Sequence, residues 1–162
     1  MTATQDRSRN PPAQQGLGPV LRAAHKIWIA ETDLYLTPIS APEASFWERW
    51  TAVRYLADDF VAQYRRECTL LDELRAFLPS EVAETLLEQG GRIEQLQQEL
   101  DRLGRRRGTA QTVSVAARLL LDSVRTWCAD IEAAARHIDR SELPEEAQRV
   151  LAGFQLYAQI HA

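Results

Sequence analysis

An all-α fold, an elongated bundle of about four to five helices, follows from three observations. Apolar residues recur at steps of three and four over most of the chain, helix start signals precede the runs, and glycine or proline falls between most of them. With 162 residues the chain suits one domain, and 45% apolar against 26% charged residues is the balance of a packed core under a solvated shell. Residues 1–16, rich in Gln, Asn, Ser and Pro, read as a disordered leader, and 17–162 as a single bundle domain.

The first helix is expected from Leu17 to about Ala30 on the spacing of Val20, Leu21, Ala24, Ile27 and Trp28. Ile27, Ile29, Leu34 and Leu36 leave a β-compatible alternation open at its end. Ser40 and Glu43 have the spacing of a capping box, with Pro42 suited to a first turn, so a long helix is expected from about 41 to 78. Its seam runs Phe46, Trp50, Val53, Ala57, Phe60, Tyr64, Glu67, Leu71, Leu74 and Leu78, interrupted once, by the carboxylate of Glu67. Trp47, Leu56, Val61, Cys68 and Leu70 widen the stripe, so contact with at least two other helices is expected.

Pro79 ends that run and Ser80 caps the next, whose seam of Val82, Leu86, Gln89, Ile93, Leu96, Leu100 and Leu103 keeps phase across Gly90-Gly91. One kinked helix is expected there, at the bundle periphery or against a single partner because the stripe is narrow. Gly104-Arg105-Arg106-Arg107-Gly108 reads as a reversal, with Gly104 as the helix C-terminal cap. A third seam, Val113, Ala117, Leu120, Val124, Trp127, Ile131, Ala134 and Ile138, then returns to form an antiparallel αα-hairpin. A last helix after Pro144 buries Ala147, Leu151, Phe154, Tyr157 and Ala158.

Several chemistries lack their residues. No Glu-x-x-His occurs, and none of His25, His137 and His161 has a second histidine three or four residues away, so neither a metal nor another cofactor is expected. The phosphate-binding, dinucleotide and nucleophile-elbow glycine patterns are missing, and Asp58-Asp59 fall on an outward face, so no catalytic residue and no enzyme is expected. Cys68 and Cys128 read as reduced thiols, no run reaches membrane-spanning length, and the expected setting is the cytoplasm. Eighteen arginines against one lysine, with abundant alanine, suggest a GC-rich bacterial source.

What remains is recognition. The expectation is a non-enzymatic interaction protein, an adaptor, assembly factor or regulatory subunit, forming a homodimer and docking a protein partner. Phe46, Trp47 and Trp50 either close the core or present a partner or dimer contact. Arg102, Arg105, Arg106 and Arg107 offer an anion or nucleic-acid contact as the alternative, although the net charge of −4 gives no general pull toward nucleic acid. An apolar-ligand or cofactor pocket in the bundle, centred on Trp127, Cys128 and the aromatics, is the second alternative.

Overall fold

A computed structural model describes residues 16–41, 43–105 and 109–161. The expected leader, Pro42, Arg106 and Arg107 lie outside the described residues, apart from Gly16 at the leader's end. Among the described residues the regular structure is entirely helical: α1 (Leu17–Leu36), α2 (Phe46–Tyr55), α3 (Val61–Leu74), α4 (Ser80–Arg105), α5 (Ala110–Ala135) and α6 (Glu145–His161). A π-helical turn, Leu56–Phe60, joins α2 and α3 into one rod, and short 3-10 turns follow α1, α3 and α5. None of these helices is long and apolar enough to cross a membrane.

Helix directions follow from the cross-helix contacts. Trp28 meets Phe60 while Thr32 bonds Tyr55, so α1 and the α2–α3 rod are antiparallel. Tyr64 donates to Gly90 O and Gln97 to Leu56 O, which sets α4 antiparallel to the rod. The α4–α5 hairpin is joined where Trp127 Nε1 donates to Leu86 O at 2.8 Å. Finally α5 returns along α1, with His25 beside Glu132 at one end and Ser114 bonded to Ser40 O at the other. The result is an up-down-up-down bundle of four rods. Running parallel to α1, α6 lies over the groove between α1 and α3, where Phe154 meets His25 and Tyr157 reaches Glu31.

Several expectations need correction. The first helix continues to Leu36, which closes the β alternative. The capping box is Ser45 with Glu48, not Ser40 with Glu43: the Ser40 hydroxyl donates to Leu36 O and its carbonyl accepts from Ser114, so Ser40 closes the 3-10 turn. The long helix therefore starts at Phe46 and ends at Leu74. A π turn admits one extra residue, and here Ala57, Asp58 and Asp59 face solvent between the buried Leu56 and Phe60. The buried stripe beyond it runs Phe60, Gln63, Glu67, Leu70 or Leu71, and Leu74, placing Gln63 where Tyr64 was expected.

Contrary to expectation, α4 is not peripheral, because it packs on α5 and on the rod together. Its apolar stripe looks narrow because two contacts are made by glycines. A Cβ on Gly90 would stand 2.8 Å from Trp127 Cζ2, and one on Gly104 would overlap Val53 Cγ2. Gly104 thus lies within the helix as a close-packing position rather than capping it. Thr109 caps α5, its hydroxyl accepting from Thr112 N at 3.2 Å.

Candidate functional site

Two groups of side chains stand apart from ordinary packing. The first is an aromatic platform on the first two turns of α2. The Ser45–Glu48 capping box starts this helix abruptly, so Phe46, Trp47 and Trp50 project from its first turns. They are 67%, 68% and 41% exposed, and Leu34 at the end of α1 is 67% exposed beside them. The core alternative for these residues is thereby corrected. Over the α1–α3 half of the bundle the neighbouring face is lined by α6, which reaches Glu31 through Tyr157 and His161. Beyond Glu31 no described residue covers the groove between α1 and α2.

Tyr35 stacks on Tyr55 along that stretch, ring centroids 4.4 Å apart, and Arg54 lies 5.5 Å from the Trp50 ring. Trp47, Trp50, Asp58 and Asp59 complete the rim of a cavity of about 570 Å³. A second cavity on the other side of Trp50 is lined by Phe46, Val53, Gly104 and Arg105. The aromatic group and the basic tip, treated as separate features of the sequence, therefore share one end of the bundle. Arg102 is engaged by Glu99 and Arg105 by Asp101, each on its own helix. Arg106 and Arg107 are not among the described residues.

The second group is a polar cluster inside the core. His25 of α1, Glu67 of α3 and Cys128 of α5 are 1%, 0% and 1% exposed. Glu132, one turn beyond Cys128, bonds His25 Nδ1 at 2.7 Å and reaches Arg22 at the rim at 3.7 Å. His25 Nε2 touches Glu67 Oε1, but without hydrogen-bond alignment, and neither Glu67 oxygen has a hydrogen-bond donor among the described residues. Burial works to discharge the imidazole, yet the close negative charge of Glu67 and the hydrogen bond and charge of Glu132 outweigh it and raise its pKa to about 9. Burial, reinforced by the charges of Glu67 and Glu132, pushes the Cys128 thiol up.

Of these four residues the sequence singles out only Cys128 for a site, and then for a pocket with Trp127 and the aromatics rather than for a polar cluster. One signal was present: a glutamate on an apolar seam must be paired if it is to be buried, and Glu67 is the one acid on that seam. Its partner could not be read, because the nearest matching groups lie on α1 and α5. No protein-family model, no curated protein and no solved structure matches this chain.

Proposed function

We propose that this protein is a non-enzymatic helical interaction protein, an adaptor, assembly factor or regulatory subunit, that docks through the aromatic platform of α2, with a second copy of the chain as the occupant. The observation behind this is the partial cover of one groove. α6 fills the lane between α1 and the rod as far as Glu31, and the same lane stays open between Tyr35 and Tyr55 with Trp47 and Trp50 on its lip. α6 also exemplifies what the lane accepts: an amphipathic helix burying Ala147, Leu151, Phe154 and Tyr157. Exposed Trp47, Trp50 and Arg54 beside the half-buried Tyr35 give the composition from which interface hot spots are built.

Self-association is favoured by the charges on the lip. Arg54 lies beside Asp58 and Asp59, so a two-fold partner meets each sign with its opposite, as a patch that pairs with itself requires. Those carboxylates oppose a polyphosphate, and the Glu99 and Asp101 pairings of Arg102 and Arg105 further weaken the nucleic-acid alternative. Trp127 and Cys128 are packed at 0% and 1% exposure, which counts against an apolar ligand between them. The free thiols Cys68 and Cys128 support a reducing, cytoplasmic setting.

Sedimentation velocity of the full chain over a concentration series tests the proposal. The wild-type protein is expected to dimerise, and Trp47→Glu or Trp50→Glu to be monomeric at the same concentrations. Because both side chains are exposed, stability should move by no more than about 0.5 kcal/mol. A wild-type monomer throughout, or a dimer that neither substitution weakens, would overturn it.

A further inference from the structure

The buried polar cluster has no role in docking, and retaining it is costly. A carboxylate without aligned donors in an apolar interior costs several kcal/mol, even with an imidazolium beside it. Glu67 is 0% exposed, and its Oε2 has no donor among the described residues. Around it converge three different ligand chemistries. His25 Nε2, a Glu67 oxygen and Cys128 Sγ lie within 4.8 Å of one another, each delivered by a different helix.

We propose that His25, Glu67 and Cys128 form a binding site for a divalent transition-metal ion, with Zn²⁺ the best match. Zinc accepts nitrogen, oxygen and sulfur together, at about 2.0–2.2 Å to N and O and about 2.3 Å to S. Tetrahedral bonds of those lengths separate the donors by about 3.5 Å, so rotamer adjustments of about 1 Å convert the present cluster, with the His25–Glu67 contact opening to admit the ion. The fourth tetrahedral position is left to a water, since the two oxygens of one carboxylate lie too close together to fill two corners.

Charge and orientation agree with this reading. A thiolate and a carboxylate neutralise the 2+ ion, which leaves His25 to bind as neutral imidazole. Its other nitrogen, Nδ1, already faces Glu132 Oε2 at 2.7 Å, the carboxylate partner that metal-bound histidines commonly have, and this aims Nε2 into the cluster. Glu132 is thus a positioning residue and not a ligand. Because the three ligands are at most 1% exposed, the site is buried, and an ion there ties α1, α3 and α5 together and adds its binding free energy to folding. It extends the protein beyond the interaction role and does not depend on it.

The test uses untagged, full-length protein, stripped with a chelator and dialysed against Zn²⁺ or Co²⁺ alone. One equivalent of Zn²⁺ per chain and a raised Tm are expected, and the Co²⁺ form should show a thiolate-to-cobalt charge-transfer band. Cys128→Ser should abolish the band and Cys68→Ser should keep it. Glu132→Gln should keep the band while weakening affinity by about 10- to 100-fold. Absence of the band in the wild-type protein overturns the assignment whether or not the variants fold. So does a band lost with Cys68→Ser in place of Cys128→Ser, or weak binding of several ions without thiolate character.

Discussion

Gly90 and Gly91 are consecutive residues of one helix, yet alanine at the two positions should change stability in opposite directions. In a helix interior, glycine is less favourable than alanine by about 1 kcal/mol. At Gly91 nothing lies within 4 Å of an added Cβ, so that gain should be realised almost whole. At Gly90 the Cβ would stand 2.8 Å from Trp127 Cζ2, closer than carbon atoms pack. The indole is held by its 2.8 Å bond to Leu86 O and by the Trp28 and Tyr64 rings, and Gly90 O itself accepts from Tyr64. Keeping the indole in place costs about 1–3 kcal/mol of overpacking, and moving it forfeits a hydrogen bond worth about 1 kcal/mol as well. After the propensity gain, Gly90→Ala should be less stable than wild type by up to about 2 kcal/mol, and Gly91→Ala more stable by about 0.5–1 kcal/mol. Urea denaturation followed by circular dichroism reads both. In thermal scans each kcal/mol corresponds to about 2–4 °C for a chain of this size. If Gly90→Ala proved as stable as Gly91→Ala, the seating of Trp127 on the α4 backbone would be wrong, and with it the packing that draws α4 into the bundle.

Three further outcomes follow from the same geometry. In chelator-containing buffer the His25 pKa of about 9, against an ordinary 6.5, means that its stabilising charge is fully present below pH 6.5 and is lost as pH rises through 9. That amounts to on the order of 3 kcal/mol, seen as a falling urea midpoint between pH 6.5 and 9.5, and His25→Gln should flatten the slope. Ser45→Ala should cost about 1 kcal/mol through loss of the α2 cap, since its hydroxyl accepts from Glu48 N; an unchanged urea midpoint would count against the corrected start of α2. Tyr64→Phe should cost about 1 kcal/mol by removing the donor to Gly90 O, and an unchanged urea midpoint would refute that contact.

Much of the secondary structure was legible because its causes are local. Pro79 and Pro144 interrupt helices wherever they occur, and the four-three seam of α5 depends only on 3.6 residues per turn. The start of α2 was misplaced because Ser40-Ala-Pro-Glu43 and Ser45-Phe-Trp-Glu48 carry the same signature. Tertiary packing chose between them, since Ser40 is held by Leu36 and by Ser114 across the bundle.

The candidate sites were legible in part and for the same reason. Phe46, Trp47 and Trp50 stand out in composition, but whether they are buried depends on which other helices pack against that end of α2, and those contacts join residues far apart in sequence. The polar cluster joins His25, Glu67 and Cys128, which lie on three different helices and carry no sequence signal that links them. Composition and periodicity by themselves determined that this chain folds as helices with short reversals, because helix formation is decided within a few turns. Which glycine admits an indole, which aromatic stays in water and which glutamate meets an imidazole were decided only by the tertiary structure, because burial and pairing belong to the juxtaposition of distant helices and not to any one of them.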